Sequence, residues 1–409
     1  MNKDKVYIFN FWESYNYGAV LTAYALQQVI KSLGYESVLI NDILNPSRFT
    51  TKKDSFNKIF AQTYLSCVNV PPKTSAYINE LKNGKIFITG SDQVFRTALI
   101  SNKGRIQEYL LDFIPIDAKK ISFAASFGVN KEKFLNETSS KIVEYMKSPL
   151  KSFDYISVRE NSGLEICKDV FNINAEWIID PVFIINKSKH DDLIKNSTED
   201  YNNKIVSYVL DTNKDYDKAY KYFEKKYNTK VIKTVNSNIS IENWLASIKN
   251  CKFLITDSFH GMCFAIIFNK PFICLANKNR GATRFESILN MLGIEYQCIN
   301  DINEIYKKDC IFKLDYEKVN QRILEEAQKG LKFLKNALDA PVSKKDEKVE
   351  AKLQFLEDKI KELETKVSIK YQIKQGLWNL WLVIFHKYLP NQIKNTIRVI
   401  KNKLKKGKY

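Results

Sequence analysis

The feature that most constrains this chain is a recurring unit. A short apolar, β-prone run is followed by a turn of small and polar residues and then by a helix with apolar residues at helical spacing. In the first instance KVYIFNF is β-prone and ESYNYG is a loop. Ala19 to Leu33 then places Val20, Ala23, Tyr24, Leu26, Ile30 and Leu33 at helical spacing, before Gly34 ends the helix and SVLIN opens the next strand. This is half of a βαβ unit and predicts a parallel sheet. Further strands are predicted at 85–90 (KIFITG), 120–128 (KISFAASFG), 155–159 (YISVR) and 176–183 (EWIIDPVF). Residues 48–82 read as helical or as a flap. A second set begins after residue 184. In it the strands IVSYVLD, KVIKTV, CKFLITD and PFICLAN alternate with the helices DYDKAYKYFEKKY, IENWLASIKN and GMCFAIIFN. A helix over 315–338 carries Val319, Ile323, Ala327, Leu331 and Leu334 on one side. The expected fold class is α/β, with two Rossmann-like domains, 1–183 and 184–340, facing a cleft. Ligands in such sheets sit at the carboxyl ends of the strands.

Composition narrows the function. The 44% apolar fraction supports buried cores. The seven cysteines are scattered, odd in number and lack a CxxC pair, so they read as buried thiols in a reducing compartment. No N-terminal signal pattern and no run of roughly 18 apolar residues is present, and a cytoplasmic location is expected. GxGxxG and GxxxxGK[ST] are absent, which gives no support to a Rossmann dinucleotide site or a P-loop. No DxD or HxxxH pair suggests a metal, and no cofactor is expected.

The net charge of +18 is uneven: residues 341–409 hold 17 Lys/Arg against 7 Asp/Glu, a net +10. Val349, Leu353, Leu356, Ile360, Leu363 and Val367 alternate steps of four and three, a short coiled-coil seam over 341–370 that could pair two chains or fold back on the body. Residues 371–409 add the aromatic stretch GLWNLWLVIFHKYLP. From Lys387 to Lys408 there are eight positive residues and no acid. This pattern reads as an amphipathic segment lying on an anionic membrane surface. The alternative is a helix docked on the protein itself. Nucleic acid is not expected, because the aromatics are clustered apart from the charges.

Five strand ends carry small or polar residues in the same way: Asn16-Tyr17-Gly18, Gly90-Ser91-Asp92-Gln93, Ser126-Phe127-Gly128, Arg159-Glu160-Asn161-Ser162-Gly163 and Asp257-Ser258-Phe259-His260-Gly261. One such turn is ordinary helix capping. Five at the same end of a sheet converge on one cleft, where helix N-termini attract anions. His260 is one of only three histidines. At a helix start it is either a structural imidazole or a group that gives and takes protons.

These residues also carry a resemblance. NYGAVLTAYALQQVIKSLGYESVLIN, FITGSDQVF, ASFG, SVRENSG, IIDPVF and LITDSFHGMCFAIIFNKPFICLAN resemble the polysaccharide pyruvyl transferase family, in that order and over about residues 5–330. The resemblance implies a GT-B-like fold, with an acceptor side at 1–183 and a donor side at 184–340. It implies transfer from phosphoenolpyruvate to a sugar, leaving a pyruvate ketal and phosphate. His260 matches the family histidine at the donor site, the favoured proton-transfer residue, and Arg159 is similar to an arginine that pairs with donor anions. Ser258-Phe259-His260 stands where many members carry Arg-Leu-His, whose arginine contacts the donor. Arg280 and Arg284 are the candidates to replace that charge.

Phosphoenolpyruvate is polyanionic, so its cleft needs arginines and helix N-termini. Its enol carbon must be protonated and a sugar hydroxyl must lose a proton, which calls for an acid and a base. His260 is the expected acid, with Asp92 a candidate base or a helix cap, and Asp257 a candidate to orient the imidazole. Ser258, Gly261, Arg280, Arg284, Ser126 and Gly128 join Arg159 as expected donor-binding residues. Asn16, Tyr17, Gly18 and Ser91 form the expected acceptor side. Trp12, Tyr15 and Tyr17 could stack on a sugar face or pack under the first loop. Asp180-Pro181 reads as a tight structural turn. The expected acceptor is a sugar of a cell-surface polysaccharide or of its lipid-linked precursor at the cytoplasmic membrane face. Two rival readings stand beside this one: a nucleotide-sugar glycosyltransferase using Glu242 and Trp244, and a non-catalytic saccharide-binding or scaffold protein.

Overall fold

The computed structural model describes residues 4–12, 16–40, 56–68, 75–100, 106–195, 197, 199–235, 239–275, 281–299, 301–306, 314–342 and 357. The coiled-coil seam and the basic segment of the tail lie outside them, apart from residue 357, as do Tyr15 and Arg280.

The first domain contains β1 (Val6–Phe9), α1 (Tyr17–Ser32), β2 (Ser37–Leu39), α2 (Phe56–Tyr64), α3 (Ser75–Asn83), β3 (Ile86–Gly90), α4 (Thr97–Ile100), α5 (Ile106–Tyr109), β4 (Lys119–Ala125), α6 (Lys131–Glu137), α7 (Ser140–Lys151), β5 (Tyr155–Val158), α8 (Asn161–Asp169) and β6 (Glu176–Trp177). Two helices, α9 (Pro181–Ile184) and α10 (Lys187–Ile194), lead into the second. There follow β7 (Ile205–Tyr208), α11 (Lys214–Tyr227), β8 (Val231–Lys233), α12 (Ile241–Asn250), β9 (Phe253–Thr256), α13 (Phe259–Ile267), β10 (Phe272–Leu275), α14 (Thr283–Leu292), β11 (Cys298–Ile299) and α15 (Tyr316–Asp339).

Both sheets are parallel throughout. Their central strands are buried along their whole length, as sheets covered by helices on both faces must be. The first runs β2-β1-β3-β4-β5-β6 and the second β11-β10-β9-β7-β8. Read from their own first strands, the two share one order. The first strand lies between the second and third, and the later strands follow outward. The connections therefore reverse direction between β1 and β3 in one domain and between β7 and β9 in the other. Ligands bind outside the strand ends at such a point. The two-domain α/β fold expected from the sequence is thus present, and the two reversal points are the places to look for chemistry.

Three elements differ from the sequence reading. The expected strand 176–183 is only β6, because Asp180 and Pro181 start a helix. The Asp180 side chain accepts from Val182 N, and proline suits the first helical turn. The strands predicted to end at 128, 159 and 211 stop at Ala125, Val158 and Tyr208, since their last residues already belong to turns. The helix predicted at 315–338 lies in sequence within the second domain but returns to the first. Phe333 rests on Phe123 and Tyr155, and Lys119 Nζ donates to the carbonyls of Leu338 and Ala340 at its end. Tyr35 OH donates to Asp339 at 2.8 Å. One apolar cluster consequently runs from β1 and α1 through α9 into α12, α13 and α15.

His190 belongs to this shared core. Its Nε2–H donates to Val182 O at 2.9 Å, and its ring meets Phe264 and Phe268 edge-on. Burial pushes the imidazole down to about 4. Because the folded value lies below the unfolded one, the unfolded chain takes up the proton first as pH falls. The stability of neutral His190 is fully present above about pH 6.5 and is lost between there and about pH 4, amounting to about 3 kcal/mol. His190→Gln keeps a donor for Val182 O and cannot titrate. Urea unfolding at neutral and acid pH is expected to show a shallower acid loss in the variant; parallel pH slopes would refute this origin.

Candidate active site

The imidazole of His260 lies where the two reversal points face each other. Ser258 caps α13 by accepting from Gly261 N at 3.3 Å, which sets His260 in the first helical turn after β9. The ring then crosses to the first domain. Its Nε2 is 2.9 Å from Thr22 Oγ1 on α1 and 3.7 Å from Asp180 Oδ2. Thr22 spends its own hydroxyl proton on Gly18 O at 2.8 Å, so its oxygen accepts from His260 Nε2–H. In the neutral ring the lone pair is therefore on Nδ1.

That nitrogen rests on Gly18. A Cβ at position 18 would stand 2.1 Å from Nδ1 and 2.2 Å from Cγ. Glycine is needed here for approach and not for its dihedral freedom, since the position is helical. Gly18→Ala is expected to displace the imidazole from Thr22 and Asp180 and to lower activity at least about 100-fold. Alanine's higher helix propensity, worth about 1 kcal/mol, should meanwhile limit the loss of stability. Activity and a thermal melt measured together check this; unchanged activity would mean that α1 and α13 part freely.

Arg159, at the end of β5, is the second element. Its Nη1 donates to Asp180 Oδ2 and to Ser91 O, both at 2.6 Å, and its Nη2 lies 3.7 Å from Asp92 Oδ1. Burial alone would lower its affinity for the proton, but Asp180, Asp92 and Glu160 outweigh this and hold the guanidinium firmly charged. Its Nε and Nη2 are buried without a hydrogen-bond partner. Burial likewise opposes charge on Asp180, yet Arg159 and then His260 hold that carboxyl below its ordinary range.

Arg284 on α14 completes the cluster. The guanidinium carbons of Arg159 and Arg284 lie 4.6 and 5.3 Å from the centre of the Phe259 ring. Burial, and then repulsion by Arg159, pulls Arg284 down to about 10. The two guanidiniums thus share one buried ring, and Asp92 and Glu160 act on the charge of both.

A loop wall closes one side. Glu160 Oε1 accepts from Ser126 Oγ at 3.0 Å, Phe127 N at 2.6 Å and Gly128 N at 2.8 Å. Its Oε2 is buried without a partner, and burial pushes the carboxyl up against the pull of Arg159. Gly281 of the second domain meets this wall: a Cβ there would stand 2.2 Å from Gly128 O, at a φ of +89. Asn161 N donates to Ser287 Oγ at 3.1 Å alongside, tying α8 to α14.

Among the residues singled out in the sequence, His260, Gly18, Ser91, Asp92, Arg159 and Arg284 come together, with Ser126 and Gly128 forming the wall. Others have structural duties. Asn16 accepts from Gly18 N as the cap of α1, and Gly261 lies against Thr256. Tyr17 OH donates to Ile239 O at 2.6 Å and its ring stacks on Tyr208, so it bridges the domains. Trp12 is buried, with Nε1 donating to Ile40 O, and therefore does not offer a sugar-stacking face. Asp257 does not orient the imidazole: its two oxygens accept from Leu210 N and Asp211 N at the end of β7. Trp244 is fully buried and Tyr17 and Tyr208 meet it edge-on, so it offers no base-stacking surface.

Asp180, Thr22 and Glu160 were not among the expected site residues. Thr22 follows Gly18 by one helical turn, a spacing that points both to one face. Asp180 was hidden by a complete local explanation, the Asp-Pro helix start, which uses only one carboxylate oxygen.

Two α/β domains that bring an imidazole and two guanidiniums together at facing strand ends form the kind of interdomain site on which group-transferring enzymes are built. The chain belongs to the polysaccharide pyruvyl transferase family, whose profile matches residues 16–279. No curated protein sequence matches the chain. Similar solved structures include UDP-GlcNAc 2-epimerase from Neisseria meningitidis, at 10% identity and a TM-score of 0.44 over 86% of this chain and 99% of that one. The UDP-GlcNAc 2-epimerase of Methanocaldococcus jannaschii gives 11% and 0.42 over 86% and 98%. An O-GlcNAc transferase variant from Thermobaculum terrenum gives 9% and 0.39 over 87% and 67%.

Proposed function

We propose that the chain transfers the pyruvyl group of phosphoenolpyruvate to a saccharide, forming a pyruvate ketal and releasing phosphate. The observation that carries this reading is Arg159, buried and charged, whose Nε and Nη2 have no hydrogen-bond partner, with Arg284 over the same Phe259 ring. A donor with a carboxylate and a phosphate can meet the Nε and Nη2 edge of Arg159, which has no hydrogen-bond partner. Arg284, beside Phe259, takes the place of the arginine that many family members carry at position 258.

His260 delivers a proton to the methylene carbon of the donor, which becomes a methyl group. One acceptor hydroxyl adds to the neighbouring carbon, and a second displaces phosphate. Of the two hydroxyl protons, one replaces that given by His260 and the other leaves with phosphate. Nδ1 is the nitrogen for this task, because Nε2–H is held by Thr22. With His260 only 3% and Arg159 only 4% exposed, water is kept from the reacting groups. The nucleotide-sugar alternative finds no support at Trp244.

Calorimetric titration with phosphoenolpyruvate and with a panel of nucleotide sugars tests the donor. Binding of phosphoenolpyruvate, followed by phosphate release on adding saccharide, is expected. Binding of a nucleotide sugar alone would overturn the reading.

We further infer that the basic tail holds the enzyme at an anionic membrane surface, where a lipid-linked acceptor is at hand. The eight positive residues between Lys387 and Lys408 support this. Deleting 343–409 is expected to lower partition onto vesicles containing anionic lipid at least about tenfold while leaving donor binding intact. Equal partition would exclude the tail as the anchor.

A further inference from the structure

Asp180 belongs neither to the first sheet nor to the second. It sits on the crossing between them, and the Arg159 guanidinium and the His260 imidazole converge on one of its oxygens. Oδ2 accepts from Arg159 Nη1 at 2.6 Å and lies 3.7 Å from His260 Nε2, while Oδ1 is occupied by Val182 N at 3.1 Å. Its side chain has no exposed surface. A buried carboxylate of this kind is costly unless it is paired. Capping a four-residue helix uses one oxygen and leaves the burial of the second unexplained.

We infer that Asp180 is a positioning residue that couples the anion-binding guanidinium to the proton-carrying imidazole. By holding Nη1 it turns the unpaired Nε and Nη2 of Arg159 toward the donor. By facing Nε2 it supports the positive charge that His260 carries before it protonates the donor. The remaining charged and titratable groups around this pair are Asp92 at the end of β3, Glu160 next to Arg159, Arg284 on α14 and the buried thiol of Cys263 one turn along α13, with the Thr22 hydroxyl on α1. Among these, Asp180 is the carboxylate recorded within 4 Å of the imidazole. A donor anion that draws Arg159 toward itself leaves more of the charge of Asp180 facing His260, so donor binding prepares the proton transfer. The inference rests on the proposed roles of Arg159 and His260 and adds a third residue that touches neither substrate.

The test is a double-mutant cycle in the full chain. Asp180→Asn keeps an acceptor for Val182 N and nearly the same shape, so the helix start is expected to survive while loss of the buried ion pair lowers stability, which a thermal melt would show. It is expected to lower kcat for phosphate release from phosphoenolpyruvate at least about 30-fold. In a His260→Gln background the same change is expected to lower kcat less than about threefold, since the action of Asp180 through the imidazole is gone and its action through Arg159 falls on the KM for phosphoenolpyruvate. Equal losses in both backgrounds would make Asp180 merely structural and overturn the inference. Imidazole 15N spectra of the donor-free protein read the coupling without substrate, because only three histidines are present and His260→Gln assigns the signal. Asp180→Asn is expected to shift the Nε2 resonance of His260 well beyond its linewidth, since Oδ2 lies 3.7 Å from that nitrogen. An unmoved resonance overturns the coupling whatever the donor proves to be. A wild-type chain that ignores phosphoenolpyruvate while keeping this effect would overturn the proposed donor alone.

Discussion

Arg159→Lys is expected to give a folded protein that no longer binds phosphoenolpyruvate measurably. The argument is geometric. Nη1 already serves Ser91 O and Asp180, so the donor must be met by the other edge of the guanidinium, where Nε and Nη2 are unpaired. A lysine ammonium can satisfy Asp180 but cannot present a second, parallel edge to a carboxylate or phosphate. The expected loss in donor affinity is at least about 100-fold, or about 3 kcal/mol. Arg159→Ala should behave differently. It leaves Asp180 buried without its counter-charge, which costs about 3–5 kcal/mol, so fold stability falls together with binding. Calorimetry with phosphoenolpyruvate and urea unfolding on the two variants separate these effects. Donor affinity within threefold of wild type in Arg159→Lys, with lowered stability, would reduce Arg159 to a core ion pair.

The alternation of apolar strands and amphipathic helices was sufficient to read two parallel sheets, because a strand buried on both faces leaves an unbroken apolar run. The ends of elements were less legible. Pattern alone places EWIIDPVF in one strand, whereas the local chemistry of Asp180 and Pro181 starts a helix there. The return of α15 to the first domain is not written in its own periodicity. Its apolar face fits any apolar partner, and its actual partners, Phe123 and Tyr155, are far away in sequence.

The site divides in the same way. Residues marked by scarcity or by turn chemistry, His260, Gly18 and Arg159, were visible. Arg284 was visible only through a missing family arginine. Residues with an adequate local role, such as Asp180 as a cap and Thr22 on a helix face, gave no sign of a second role across the domain interface. Conversely, Trp12, Tyr17 and Trp244 are aromatic and lie near the right loops, but the shared core uses them for packing. An aromatic side chain does not reveal from sequence alone whether it faces a ligand or a neighbouring helix.

His260→Gln is expected to lower turnover about 1,000-fold while leaving donor affinity nearly unchanged. General acid–base groups typically contribute between about 100-fold and 10,000-fold, and the anion contacts belong to the arginines, not to the imidazole. Glutamine is the informative replacement. Its amide can still donate toward Thr22 Oγ1 and it fills much of the space over Gly18, so the α1–α13 contact is retained, whereas alanine would leave a cavity between the domains. Single-turnover phosphate release and calorimetry with phosphoenolpyruvate, made on the same preparation, give the two numbers. A fall in turnover with retained binding assigns the proton to His260. A fall in both together would mean that the imidazole serves to close the domains. If a saccharide still binds both proteins equally well and neither wild type nor variant releases phosphate, the imidazole is a packing residue and the chain a binder. The buried geometry argues against that last outcome. A pure binder gains nothing from sealing an imidazole and two guanidiniums away from the surface that would meet its ligand, whereas an enzyme that must protonate a carbon gains a site from which competing water is excluded.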